Sequence, residues 1–270
     1  MTRIRSSRQF QIDNGPSVLG FDTEGAWGYD AWDRFLTIEG KRAYHIGDPC
    51  ETCKFFFKRL GGASRSIDAS AVRDALNAGL ESLDSNAARA FQALLPSGNY
   101  KAFLLEIAPK LVTLGTSDDY FFNEQVQTWE YDDFGNLQHD PGIQYYRGDS
   151  RRIDASASLF EFVIPMIPFD LLDQDRVKQY LESRSPATAV AIAVLDIKQP
   201  VSYSDEQLQQ GYDYAHWCLA HYLLDGHHKM FAASQAGRPL SLLSLLAVDQ
   251  GISVSEQVDQ LEAILAGGGE

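Results

Sequence analysis

Four apolar runs between residues 158 and 249 constrain this chain more than any other feature. SLFEFVIPMIP starts at Ser158, TAVAIAVLDI at Thr188, HWCLAHYLLDG at His216 and LSLLSLLAVD at Leu240. Each is short, strongly apolar and bounded by Pro, Gly or Asp, which reads as a strand. Helical patterns fall between and after them. DLLDQDRVKQYLES sets Val177, Tyr180 and Leu181 on one face, and HHKMFAASQAG follows the third run. The tail SVSEQVDQLEAILAGGGE aligns Val258, Leu261 and Leu265. This alternation predicts an α+β fold, a mixed sheet with flanking helices. No uninterrupted apolar stretch reaches the ~20 residues that a bilayer-spanning helix needs.

The first half has a different texture. Its first sixty residues are rich in glycine, aromatics and turn residues, which suggests loops and short strands, with Trp27, Tyr29, Trp32 and Phe35 as core or interface material. Over residues 68–83, Val72, Ala75, Leu76, Gly79, Leu80 and Leu83 recur at helical spacing, with Asp68 or Ser70 placed to cap. A second helix is expected over 87–95, stopped by Pro96-Ser97-Gly98. YKAFLLEIA and KLVTLG then read as strands or buried segments, with a helix as the alternative for the first. Residues 118–155 are polar, aromatic and rich in turns, with Phe134-Gly135-Asn136 and Asp140-Pro141-Gly142 as hairpin signals. Two regions are therefore expected, 1–155 and 156–270, and SDEQLQQGYD at 204–213 is a loop or short helix.

A formal charge of −14 and a pI near 4.8 argue against a general nucleic-acid binder, because phosphate backbones select a basic face. A small anion held by backbone N–H groups remains compatible with that charge. Three cysteines, and no apolar segment after MTRIRSSRQFQIDNG, fit a reduced, cytoplasmic protein.

The junction Asp225-Gly226-His227-His228-Lys229 is the main candidate site. Gly226 permits a sharp strand-to-helix turn, and the first N–H groups of the helix have no intrahelical acceptor. With the helix dipole behind them, they form a cradle for an anion, to which His227, His228 and Lys229 add donors or charge. An ordinary turn capped by Asp225 is the plain alternative. Metal chelation fits poorly, because adjacent helical residues project about 100° apart.

The order IPMIPFDLLDQDRVKQYLES, TAVAIAVLDI, AHYLLDGHHKMFAASQAGRPLSLLSLLAVD resembles the ParB/sulfiredoxin-like fold over residues 160–250. Asp225, Gly226, His227 and His228 match the turn typical of its free serine kinase branch. Ala232 and Ala233 match the small helix positions, and Gly237 matches the closing glycine. Two departures matter. Lys229 stands where the family usually carries Arg, which loses the bidentate fork suited to phosphate. His227 stands where sulfiredoxins have their nucleophilic cysteine. The resemblance implies a phosphate- or nucleotide-binding protein, with a nucleoside triphosphate and Mg²⁺ as ligands and kinase or nucleotide-hydrolase chemistry as one outcome. His227 and His228 would then handle protons, and Asp170, Asp173, Asp196 and Asp225 are the candidate carboxylates. The competing expectation is a non-catalytic interaction protein, an inhibitor or immunity factor whose acidic surface meets a basic partner.

A second signal is His45-Ile-Gly-Asp-Pro-Cys50-Glu-Thr-Cys53. Cys-x-x-Cys can offer two thiolates to Zn²⁺ with His45 as a third ligand, the fourth coming from His139, His216, Cys218 or His221. The same spacing also suits a redox dithiol in a thioredoxin-like context, or two cysteines with no role.

Overall fold

The computed structural model describes residues 2–13, 17–25, 33–64, 67–129, 139–183, 186–200 and 215–267. Trp27, Tyr29, Trp32, the turn at 134–136 and the 204–213 segment lie outside them. The strands are β1 (Arg3–Ile12), β2 (Leu19–Glu24), β3 (Asp33–Ile38), β4 (Lys41–His45), β5 (Lys58–Arg59), β6 (Gly98–Ile107), β7 (Lys110–Leu111), β8 (Tyr146–Arg147), β9 (Arg151–Arg152), β10 (Ala157–Ile164), β11 (Thr188–Lys198), β12 (Ala215–Asp225) and β13 (Leu240–Ala247). The α-helices are α1 (Arg73–Ala78), α2 (Asn86–Gln92), α3 (Glu124–Trp129), α4 (Gln174–Glu182), α5 (His227–Gln235) and α6 (Ser255–Leu265).

All four apolar runs become strands of one mixed sheet, ordered β1-β6-β13-β11-β12-β10-β8-β7, with β9 also paired to β10. The β13–β11 and β12–β10 pairs are parallel, whereas β11–β12 and β13–β6 are antiparallel. This sheet draws strands from both sides of residue 155. A second, antiparallel sheet runs β2-β3-β4-β5.

Three layers follow from the two-residue period of the strands. In β11, Val190, Ile192 and Val194 join a core shared with Leu36, Ile38, Tyr44 and Ile46 of the small sheet and with Leu76 and Phe91 of α1 and α2. Ala189, Ala191 and Ala193 face the other way, in the core that contains Met230 and Ala233 of α5 and Val258, Leu261 and Leu265 of α6. Alternating small and β-branched side chains thus let helices approach one face of the strand and fill the other.

The 68–83 helix is shorter than its periodicity predicts. Asp68 accepts from the Ser70 amide, a 3₁₀ turn leads into α1, and α1 ends at Gly79 with φ 90°. A Cβ there would lie 2.3 Å from the Pro186 carbonyl oxygen, so the close passage of the chain at Pro186 decides the break. Leu80 and Leu83 stay buried in the loop beyond. The second expected helix forms as α2, capped by Ser85 Oγ, which accepts from the Ala88 amide. Among the described residues, no helix is long and apolar enough to cross a membrane.

The two sheets are locked together by Arg34 on β3 and Asp196 on β11. Arg34 Nη2 donates to Asp196 Oδ2 at 2.6 Å and Nη1 to Oδ1 at 3.2 Å. The guanidinium also reaches the carbonyls of Ile46 and Gln250, and Asp196 Oδ1 accepts from the Ile252 amide at 2.9 Å. Asp196 is fully buried. Removing one partner of such a pair leaves an uncompensated buried charge, which costs about 3–5 kcal/mol. Arg34→Ala is therefore expected to lose stability on that scale in urea unfolding, and the double variant Arg34→Met/Asp196→Leu to lose much less. Equal losses would show that the desolvated carboxylate is not what Arg34 balances.

Candidate functional site

β12, a central strand, carries Asp225 at its C-terminal end, and Gly226, with φ 93°, starts α5 as its N-cap. A Cβ on Gly226 would sit 2.7 Å from Ala189 Cβ, so glycine serves both the turn and the close packing on β11. The first helical hydrogen bond runs from the Met230 amide to the Gly226 carbonyl. The amides of His227, His228 and Lys229 therefore precede the intrahelical ladder. Asp225 does not cap: no side-chain cap bond is made at this terminus. At the other end Gly237 adopts φ 58° and the Arg238 amide returns to the Ala233 carbonyl, the closure expected of that glycine.

The three side chains of the turn each secure a neighbouring segment. His227 is buried, and its Nε2 accepts from the Met166 amide at 3.0 Å, clamping the Ile-Pro turn that follows β10. Tyr44 Oη and Arg59 Nε hold the same turn from the small sheet through the Pro165 and Met166 carbonyls. His228 Nε2 accepts from the Asp173 amide at 3.1 Å, while the Asp173 carboxylate caps α4. Lys229 is buried; its Nζ donates to the Thr188 carbonyl at 3.1 Å and lies 3.6 Å from Asp225 Oδ2. Arg238 completes the frame by donating to the carbonyls of Ser183 and Tyr180 at the end of α4.

A cleft of about 480 Å³ opens in front of this turn. Its wall carries four cationic side chains, Arg59, Arg73, Arg176 and Lys229, against two carboxylates, Asp68 and Asp225. Such a balance contrasts with a chain of net charge −14. Arg73 and Arg176 are exposed and stand at the first turns of α1 and α4. Their field reaches the turn itself. Burial chiefly lowers the pKa of Lys229; Asp225 opposes the shift, and Arg176 and Arg73 reinforce it. For His228, burial again leads and Arg176 adds to it, whereas Asp173 and Asp225 oppose it. Cationic side chains therefore outnumber carboxylates on the cleft wall.

The other carboxylates named from the sequence lie elsewhere or are engaged. Asp196 sits in the Arg34 pair, Asp173 caps α4, and Asp170 is exposed on a 3₁₀ turn outside the cleft wall. Arg59, Arg73, Arg176 and Asp68 carry no local motif. The one sequence signal is Arg176 and Tyr180, four apart on α4 and therefore on one face.

At the Cys-x-x-Cys turn, Cys50 and Cys53 are joined in a disulfide. Ligand atoms of Asp48, Cys50 and Cys53 lie within 4.8 Å of one another, a group that could hold a metal, but both sulfurs are occupied by the S–S bond. His45 stands outside it, with Nε2 2.9 Å from Asp33 Oδ1 and its ring stacked on Phe35. The proposed fourth ligands are placed elsewhere. His139 reaches the Phe57 carbonyl, His216 bridges Tyr120 and Thr128, Cys218 is buried beside Tyr120, and His221 bridges Ser244 and Glu161. Glu161, His221 and Ser244 have the connectivity of a catalytic triad, yet all three are buried in the sheet and offer no substrate access.

No family model matches the sequence, and no curated protein or solved structure matches it either.

The buried imidazoles are expected to contribute to the pH dependence of stability. Burial drives the His227 pKa down to about 3, with His228 adding to the shift, and burial alone drives His216 to about 3. The unfolded chain protonates near pH 6.5, so it binds more protons than the native state below that value. Stability is expected to fall as pH drops from 6.5 towards 3. His227→Gln keeps an acceptor for the Met166 amide without a proton to take up. It should flatten the pH dependence of the urea midpoint; an unchanged slope would show that His227 does not contribute.

Proposed function

We propose that the cleft at the 225–229 turn binds a small phosphate-bearing molecule, with a nucleotide as the member of that class best matched to its size. The observation that carries this reading is the concentration of Arg59, Arg73, Arg176 and Lys229 around the N-terminus of α5. Free helix amides and guanidiniums are complementary to phosphate oxygens, and a cleft of 480 Å³ lies in the range that holds cofactor-sized ligands. An anion would also relieve the repulsion that Arg73 and Arg176 exert on Lys229. The chain order supports reading residues 160–250 as a ParB/sulfiredoxin-like module. There β10 turns at Pro165 towards α4, β11 follows, and β12 reaches Gly226 before α5 and β13.

Binding without chemistry is the better-supported form of the proposal. His227 and His228 both spend Nε2 on backbone amides, so proton transfer through that nitrogen would break a structural bond. Asp68 and Asp225 are the carboxylates on the cleft wall available to a Mg²⁺ carried in with a nucleotide. A zinc ion at the Cys-x-x-Cys turn would need the disulfide opened and a ligand set without His45.

Thermal shift and calorimetry with inorganic phosphate, ATP and CTP, each with and without Mg²⁺, test the reading. At a hundredfold excess over Kd, a rise in Tm of roughly 4–5 °C is expected. Arg73→Ala and Arg176→Ala alter exposed side chains and should remove most of the shift while leaving the unliganded Tm nearly unchanged. The affinity should weaken as salt is raised. A native protein that responds to none of these anions would overturn the proposal.

A further inference from the structure

The Cys50–Cys53 disulfide has a sequence separation of only 3. Closing so short a loop removes little chain entropy from the unfolded state, so the bond is a weak staple for the fold as a whole. Its surroundings are built in more detail than a local staple requires. Four carbonyls of the turn, those of Asp48, Cys50, Glu51 and Thr52, accept from other parts of the molecule. Lys198 Nζ, buried at the end of β11, donates to the Cys50 carbonyl at 2.6 Å and to the Asp48 carbonyl at 3.2 Å. The Gln199 amide donates to the Glu51 carbonyl at 2.9 Å, and Trp129 Nε1 donates to the Thr52 carbonyl at 2.9 Å. Within the turn, the Asp48 carboxylate accepts from the Cys50 amide, and Thr52 Oγ1 stands 3.3 Å from Cys50 Sγ. Glu51 and Thr52 are exposed, so the rim of the turn meets solvent while its carbonyls meet β11 and Trp129.

We propose that Cys50 and Cys53 form a thiol–disulfide exchange site whose co-reactant is a dithiol. A thiolate of the dithiol attacks Cys53 Sγ, the S–S bond breaks, and Cys50 leaves as a thiolate. The Thr52 hydroxyl, already facing that sulfur, donates to the developing charge. The second thiol of the partner then attacks its own sulfur in the mixed disulfide and releases Cys53. Two electrons and two protons pass to the protein, which gains two thiols, and the partner leaves as a disulfide. Reduction frees the turn that presents its carbonyls to Lys198, Gln199 and Trp129, so the redox state is reported at the end of α3 and at the junction of the two sheets. This site is independent of the anion cleft.

The test uses the intact protein and dithiothreitol. After brief treatment under native conditions, iodoacetamide is expected to label Cys50 and Cys53 but not buried Cys218, as read by peptide mass spectrometry. Tryptophan emission should change in step with labelling, revert on reoxidation, and lose this change in Trp129→Phe. Thr52→Val should slow the exchange roughly tenfold, the effect expected from losing a hydrogen bond to a charged leaving group. Circular dichroism should show the reduced protein still folded. Three outcomes would overturn the proposal: labelling that requires denaturant, reduction that unfolds the chain, or a native protein with free Cys50 and Cys53 thiols holding a stoichiometric metal.

Discussion

The Arg34–Asp196 pair joins the two sheets at the point where their chain segments would otherwise bury polar groups without partners. Asp196 interrupts the apolar run of β11 and takes two guanidinium donors and the Ile252 amide. Arg34 in turn holds the carbonyls of Ile46 and Gln250, so one side chain orders the end of β4 and the loop after β13. Two residues farther along β11, Lys198 repeats the device on the Cys-x-x-Cys turn. A buried charge is tolerable only when it is paired and fully hydrogen-bonded, which makes the relative position of the two sheets a requirement and not a convenience.

That placement is what creates the cleft. The small sheet and residues 67–77 supply Arg59, Asp68 and Arg73, whereas α4 and the 225–229 turn supply Arg176, Asp225 and Lys229. Neither set lines the cleft alone. The turn residues are largely spent on architecture: His227 on the Met166 amide, His228 on the start of α4, Lys229 on Thr188. The positive charge that faces the cleft comes mainly from guanidiniums contributed by other elements. Polarity in the turn thus builds the wall, and the arginines give it its character.

Much of the fold was legible. TAVAIAVLDI reads as a strand from its short, apolar, bounded run, and it forms β11, whereas which layer meets each face came from the structure. Gly226 and Gly237 bound α5 as their positions suggest, because both adopt positive φ. The 68–83 helix was over-read, since periodicity cannot report that Pro186 passes within touching distance of Gly79. At the candidate sites, the turn was visible as a cluster, but its engaged imidazoles were not. His45 looked like a third ligand because it lies five residues before Cys50, yet β4 ends at His45 and leaves its ring with Asp33 and Phe35.

The sequence by itself determined the four apolar strands β10 to β13, the α+β class, the helix start at Gly226 and the acidity of the chain, because each depends on local pattern or on composition. Tertiary structure alone decided which charges meet. Arg59, Arg73 and Arg176 are far apart in the chain and converge only when the small sheet is held against the large one. The Cys-x-x-Cys turn likewise acquires its partners from β11 and α3 only after folding. Hydrophobic periodicity specifies faces, whereas electrostatic sites depend on separations of a few ångströms between elements, and those distances are set by packing.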